Sequence, residues 1–320
     1  MIKKIAIIGG GNIGGVCVAE ASSRRLARQV ALVDVKEPEF AKGKCLDIAE
    51  GTPVIGADTV LEGSKGYEVL AGADFVINTA GVPRAVRPDG TFPSREELLA
   101  TNLSITDAVA GGIKEYCPNA FVISVANPLD AIVYRLYNQL KDVTSPTKIM
   151  GMAGVLDSAR YKYFVAQAAG VSVENVEAVV LGGHGDTMVP IRSACRIYGL
   201  PVTKFISEED LLAIETRTRK AGGEVVGLLG SGSAFVSPAW SALDMVESIA
   251  YDKKKITPVC ALLDGQYGVD NLFVGVPVVL GEKGIEKVIE IDLTDDEKAA
   301  LDNSIAAVAK TCGDVDKMGS

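Results

Sequence analysis

The chain has 320 residues, 48% hydrophobic and 23% charged, the balance of a folded globular protein with enough apolar material for two domains. A formal net charge of −9, with no run of Lys or Arg, leaves no electrostatic footprint for nucleic acid or an acidic membrane surface. An anionic ligand must therefore be caught by a few placed arginines.

The start, Met1-Ile2-Lys3-Lys4 and then Ile5 to Ile8, with Ala19-Glu20-Ala21 beyond it, has the outline of a signal peptide. Gly9, Gly10 and Gly11 break the apolar run at once, and no stretch approaches the ~20 residues of a membrane span. The expectation is a soluble cytoplasmic protein. The six cysteines, Cys17, Cys45, Cys117, Cys195, Cys260 and Cys312, are widely scattered without a C-x-x-C, and only one histidine is there to complete a metal set. They read as reduced, mostly buried thiols, with no metal.

Ile5 to Ile8 is a short β-branched strand, followed by Gly9-Gly10-Gly11-Asn12-Ile13-Gly14 and a helix expected from Val16 to about Ala27. Val30 to Asp34 is a second strand that ends in a carboxylate. A G-x-G-x-x-G by itself is weak, since loops are rich in glycine. Here it follows a strand and opens a helix, and Asp34 stands where the acid that binds a ribose is expected. Gly9 and Gly11 would let the backbone approach a pyrophosphate, Gly14 would let helix and strand pack closely, and the helix N-terminus would face the phosphates. Asp34 would accept from both ribose hydroxyls and repel a 2′-phosphate, favouring NAD over NADP. The competing reading of Asp34 is a solvated strand end.

Further strands are expected at Asp74–Thr79, Ala120–Val125 and Lys148–Met150, with helices around 39–50, 95–116 and 128–140. Strands apolar throughout suit a parallel sheet covered on both faces. The fold class is thus α/β: a doubly wound Rossmann domain over residues 1–149, then an α+β domain over 150–320. The second part carries strands at Val176–Leu181, Phe273–Leu280 and Gly284–Ile291, and helices near 154–169, 208–229, 238–250 and 295–311. Capping boxes are expected at Thr294/Glu297 and at Ser94/Glu97.

Asp157 and Arg160 stand three apart on one helix, and His184, the single histidine, sits in Gly182-Gly183-His184-Gly185-Asp186. The plain reading is a surface ion pair and a histidine that caps a turn. The functional reading gives Asp157 to one imidazole nitrogen and Arg160 to a substrate carboxylate, with His184 as the acid–base group.

Five ordered motifs now stand together: Gly9 to Gly14 with Asp34, Ala80-Gly81-Val82-Pro83-Arg84, Val125-Ala126-Asn127-Pro128-Leu129-Asp130, Leu156-Asp157-Ser158-Ala159-Arg160, and Gly182 to Asp186. On them, and over essentially its whole length, the chain resembles the lactate/malate dehydrogenase family, on the malate side. The resemblance implies NAD-dependent oxidation of malate to oxaloacetate, with His184 and Asp157 as the proton-transfer dyad. It also implies Arg160 on the C1 carboxylate and Asn127 between substrate and nicotinamide ribose. Thr79, Ala80, Gly81, Asn102, Val125 and Asn127 would join Gly9, Gly11, Asn12, Ile13, Gly14 and Asp34 around the cofactor. A homodimer or homotetramer is implied, with helices of the first domain at the interface.

Arg84 occupies the position where the malate enzymes of this family carry arginine and the lactate enzymes glutamine. A second guanidinium would pair the second carboxylate of malate and be left unpaired by lactate. The chain departs from the family in the loop that follows, which is five residues longer than the usual pattern, Arg84 to Arg95. Arg95, followed by Glu96-Glu97-Leu98-Leu99, is assigned the role of polarising the substrate carbonyl, and Arg87 competes with it. Pro88, Gly90 and Pro93 suit a lid that excludes water. The alternatives are a lactate or other 2-hydroxyacid dehydrogenase, a non-catalytic NAD(H)-binding sensor, and an NADP-linked or glycosidase-like relative of the fold.

Overall fold

A computed structural model describes residues 2–36, 39–82, 94–230 and 232–318, with the side chain of Arg95 also outside the description. The first half runs β1 (Ile2–Ile8), α1 (Asn12–Ser23), β2 (Ala27–Val33), α2 (Phe40–Ile55), β3 (Val60–Ser64), β4 (Phe75–Asn78), α3 (Arg95–Tyr116), β5 (Phe121–Ser124), α4 (Leu129–Leu140) and β6 (Ile149–Gly151). These six strands pair in parallel in the order β6-β5-β4-β1-β2-β3. The order reverses between β1 and β4, and in a doubly wound sheet the carboxyl ends of the strands at such a switch point form the ligand crevice.

The second half continues with α5 (Ala153–Ala169), β7 (Val176–Glu177), β8 (Val180–Leu181), β9 (Val189–Pro190), β10 (Arg196–Ile197), β11 (Leu200–Pro201), α6 (Glu208–Leu229), α7 (Val236–Ala250), β12 (Lys255–Asp264), β13 (Asp270–Gly281), β14 (Gly284–Val288) and α8 (Asp295–Met318). β12, β13 and β14 do not form a sheet of their own. β12 pairs antiparallel with β6 at Cys260 and Gly151, so one nine-stranded sheet spans both halves. The fold is the expected α/β Rossmann sheet followed by an α+β part.

Burial follows from the strand patterns. Ile5, Ile7, Val30 and Leu32 point to one face and pack with Val18 and Ala21 of α1 and with Leu243 and Val246 of α7. Ala6, Ile8, Val76 and Val122 point to the other and meet Val109 and Ile113 of α3 and Ile132 and Leu136 of α4. α7 thus covers the same face as α1 although it comes from the other half of the chain.

Several boundaries differ from the sequence reading. α1 begins at Asn12, not Val16, and ends at Ser23: packing against β1 and β4 outweighs the poor helix propensity of Gly14 and Gly15, and Ala27 belongs to β2. The expected strand Val176–Leu181 divides into β7 and β8, which join different sheets. The last strand stops at Val288. β3 and β12 were not anticipated. β3 is a sheet-edge strand with mixed character, and β12 contains Pro258, a residue that argues against an interior strand. Pro258 is accommodated because it stands opposite Pro277 of β13, in a pair where neither residue has an N–H to exchange.

The segment that leads to His184 is tied to this sheet at one point. Gly182 donates to the carbonyl of Gly275 on β13 at 2.9 Å, and Gly275 donates back at 3.1 Å. A Cβ on Gly275 would stand 2.4 Å from the Gly182 carbonyl oxygen, so the two backbones could not approach. Gly275→Ala is expected to lower the melting temperature by about 4 °C or more, through the strain of overpacking, in a thermal melt monitored by circular dichroism.

Candidate active site

At the switch point the glycine loop leaves β1 with Gly9 at φ 98°, and a Cβ there would lie 2.7 Å from the Ala80 nitrogen. Gly14, inside the first turn of α1, would place a Cβ 1.9 Å from the Gly9 carbonyl oxygen, which makes it the close-packing glycine the motif requires. Nothing stands within 4 Å of a Cβ built on Gly11, so this part of the loop opens onto the crevice. The N–H of Gly15 donates to the Gly11 carbonyl. The earlier N–H groups of the turn, on Asn12, Ile13 and Gly14, are those a helix start leaves for an anion.

Asp34 follows β2 and is buried. Its Oδ2 accepts from the Gly10 N–H at 2.6 Å and its Oδ1 from the Lys36 N–H at 2.9 Å. The carboxylate therefore braces the glycine loop as well as lining the crevice. Thr79, after β4, donates its hydroxyl to the Gly9 carbonyl at 2.8 Å, and Ala80 and Gly81 line the same crevice. Asn102 of α3 spends its amide on backbone: Oδ1 accepts from the Val82 N–H, while Nδ2 donates to the carbonyls of Val82 and Asn127. It clasps the ends of two loops. Val125 is buried and donates to the Asn78 carbonyl, and Asn127 is exposed at the end of this segment.

The candidate acid–base residues meet between α5 and the loop after β8. Asp157, 2% exposed on α5, accepts from His184 Nδ1 at 2.7 Å through Oδ2, and from Arg160 at 3.3 Å through Oδ1. The ion pair and the dyad, alternatives in the sequence, are both present and share one carboxylate. With Nδ1 engaged by an ionised Asp157, neutral His184 carries its lone pair on Nε2, toward the pocket it lines with Arg160, Met188, Arg219 and Gly222. Burial lowers the proton affinity of His184. The charge of Asp157 and its hydrogen bond, aided by Asp130, outweigh that effect and the opposing charge of Arg160, so the imidazole titrates above its ordinary value.

Residues 3–151 match the model of the lactate/malate dehydrogenase NAD binding domain, and residues 154–317 match that of the lactate/malate dehydrogenase alpha/beta C-terminal domain. The chain belongs to the lactate/malate dehydrogenase family. It is 50% identical over 313 residues to malate dehydrogenase 1 of Anaeromyxobacter dehalogenans, with 97% of each chain covered. It is also 50% identical over 316 residues to a malate dehydrogenase of Geotalea daltonii, with 96% of each covered. Among solved structures it is similar to the malate dehydrogenase of Cryptosporidium parvum, at TM-score 0.92, 40% identity, and 99% of this chain and 100% of that one. The lactate dehydrogenase of Eimeria maxima with NADH and oxamate overlaps at TM-score 0.94, 39% identity, and 100% and 96% coverage.

Membership of this family makes the chain an oxidoreductase and makes NAD its cofactor, and the crevice fits that group: an open glycine loop, a helix start and a carboxylate after the second strand. Arg84 and Arg87 lie outside the described residues, as does the side chain of Arg95, whose backbone opens α3. The capping box ahead of it is present, with Ser94 Oγ accepting from the Glu97 N–H at 3.1 Å and Glu97 accepting from the Ser94 N–H at 2.8 Å.

Three residues escaped the sequence reading. Lys44 of α2 donates to the carbonyls of Gly10 at 2.7 Å and Gly11 at 3.0 Å. Arg219 of α6 donates to the Met188 carbonyl at 3.1 Å and lines the substrate-side pocket with Lys220. Asp130 of α4 accepts from the His184 N–H at 2.8 Å. None belongs to a local chemical pattern that gives it this task, although Asp130 is the last residue of the Val125-Ala126-Asn127-Pro128-Leu129-Asp130 motif. Among the described residues, no cluster of acidic, cysteine and histidine side chains is suited to a metal ion.

Because folding raises the proton affinity of His184 above its unfolded value of about 6.5, the imidazolium stabilises the fold below that pH, and this contribution is lost as pH rises through the higher folded value. The melting-temperature advantage of the chain over its His184→Asn variant is expected to shrink from about pH 6.5 upward, measured by calorimetry in a pH series. A constant difference would contradict the coupling.

Proposed function

We propose that this chain is an NAD-dependent malate dehydrogenase that interconverts (S)-malate and oxaloacetate. The observation that carries this reading is the 2.7 Å contact of His184 with a buried Asp157 that also holds Arg160, at one pocket. The names of the relatives at 50% identity support the dicarboxylate choice, as does Arg84 in the sequence. Residues 1–149 would form the NAD-binding domain and 150–320 the substrate domain.

In malate oxidation Arg160 pairs its planar guanidinium with the C1 carboxylate, and Arg84 pairs with the second carboxylate. NAD, held by Gly9, Gly11, Asn12, Ile13, Gly14, Asp34 and the segments at Thr79–Gly81 and Val125–Asn127, supplies the acceptor for the C2 hydride when bound. Nε2 of neutral His184 takes the C2 hydroxyl proton, and Asp157 holds the resulting imidazolium. Arg95 stabilises the charge that develops on the C2 oxygen. Substrate thus loses one hydride and one proton, and oxaloacetate reduction runs with His184 protonated.

A second reading, a lactate dehydrogenase, draws on the five-residue lengthening between Arg84 and Arg95, a departure from the usual malate pattern, and on the overlap with the Eimeria enzyme. The exposed apolar side chains of α2, Leu46, Val54 and Ile55, support a homodimer or homotetramer through helices of the first half. A cytoplasmic location is supported by six free, buried cysteines. Among the described residues no helix is long and apolar enough to cross a membrane.

The deciding experiment is oxidation of NADH with oxaloacetate, pyruvate and longer 2-oxo acids. A kcat/KM at least about 100-fold higher for oxaloacetate than for pyruvate is expected, and the reverse order would replace malate by lactate. His184→Asn is expected to bind NADH while losing about 100-fold or more in kcat. Arg95→Gln is expected to lower kcat by about 100-fold with a much smaller rise in KM, and an unchanged kcat would move its role to Arg87.

A further inference from the structure

Asp130 sits beneath the His184 loop, in the first turn of α4, and no part of the dyad explains it. Its two oxygens have two donors. Oδ2 accepts from the backbone N–H of His184 at 2.8 Å, and Oδ1 accepts from Cys260 Sγ of β12 at 3.2 Å. The preceding residue of the same loop, Gly183, donates its N–H to Ser304 Oγ of α8 at 3.0 Å. The histidine loop is thus pinned from α4, β13 and α8, with Cys260 of β12 bracing Asp130 itself, before its side chain reaches Asp157 of α5.

An asparagine would accept the His184 N–H equally well and would cost less to bury, so pinning alone does not call for a charge. Three features favour the ionised form: both oxygens have donors, the residue stands at the positive end of a helix dipole, and the charge of a protonated His184 reaches it. Burial, the largest influence, works against it together with the charge of Asp157, and the Asp130 carboxyl is raised above its ordinary value. We propose that Asp130 is a positioning residue for His184, an ionised carboxylate that fixes the His184 peptide and adds a second negative charge in support of the protonated imidazole. Its catalytic consequence rests on the malate dehydrogenase reading; its effect on His184 does not.

The groups that face this pair are few. Asp130 meets Cys260 from β12, with Cys312 of α8 near it, and feels Asp157 from α5. His184 meets Asp157 and Arg160 from α5 and Asp130 from α4, with Arg219, Lys220 and Glu224 of α6 and Asp186 of its own loop around the pocket. The cysteines stay protonated, since burial pushes Cys312 up to about 12 and Cys260 well above the thiol range. Of these, Asp157 and Asp130 favour its charged form.

The solitary histidine gives a direct test. In protein labelled at histidine, one imidazole titrates by nuclear magnetic resonance. Asp130→Asn is expected to lower its midpoint by about half a pH unit or more while the NADH dissociation constant stays within about twofold. The alkaline limb of kcat/KM for oxaloacetate reduction should move down by the same amount. An unchanged midpoint in a folded Asp130→Asn variant would overturn the proposal and leave Asp130 as a loop tie. If that variant does not fold, the carboxyl carbon of Asp130 in the unaltered chain decides: an ionised signal that shifts with the His184 midpoint is expected, and a protonated carboxyl across that range would overturn the proposal. Failure of the unaltered chain to reduce oxaloacetate would sink the malate reading, while the resonance measurement would still judge Asp130.

Discussion

A single carboxylate, Asp157, organises the chemistry. It is almost wholly buried, it reaches a ring nitrogen of His184 with one oxygen and a guanidinium nitrogen of Arg160 with the other, and a buried anion with one partner removed would be costly. The arrangement makes the two cationic groups interdependent: each stabilises the anion that the other uses. It also fixes their mutual placement on the pocket, because α5 sets the three-residue spacing and the glycine-flanked loop brings the imidazole to it. In the role proposed for Arg160, a substrate carboxylate would find a guanidinium already oriented by a neighbour, which would reduce the ordering that binding must otherwise impose.

The same economy of anchoring recurs at the nucleotide crevice. Asp34 is expected on the ribose, yet one of its oxygens already accepts from the Gly10 N–H, and Lys44 holds the carbonyls of Gly10 and Gly11. The glycine loop, which has no side chains of its own to stiffen it, is thereby held through its backbone by an acid and a base. Asn102 does comparable work between Val82 and Asn127. These contacts shape the cradle before a ligand enters, so that the first-turn N–H groups of α1 have a fixed direction.

Much of this was legible in the sequence where chemistry and local spacing coincide. The parallel strands were readable because β-branched, uninterrupted apolar runs mark strands covered on both faces, and Gly9 to Gly14 with Asp34 marked the crevice. Asp157, Arg160 and His184 were readable because a helix spacing and a lone imidazole between glycines restrict what they can do. The illegible parts depend on contacts between distant positions. Lys44, Asp130 and Arg219 reach partners 34, 54 and 31 residues away, and no local pattern encodes those meetings. β12 was hidden by Pro258, which becomes permissible only when Pro277 stands opposite. α1 was placed too late because glycine is a poor helix former in isolation, a penalty that close packing at Gly14 overrides.

The pairing of β12 with β6 gives the two halves a shared backbone ladder. Two sheets joined by a linker could rock about a hinge between nucleotide and substrate sites; the Cys260–Gly151 bridge and the packing of α7 beside α1 across the division oppose that motion. Any rearrangement that accompanies turnover is therefore left to elements outside the sheet, such as α6, which carries Arg219 and Lys220 to the rim of the pocket. Strand exchange protection should consequently be uniform across the division, and the molecule should behave toward solvent as one cooperative unit rather than as two bodies with separate opening energies.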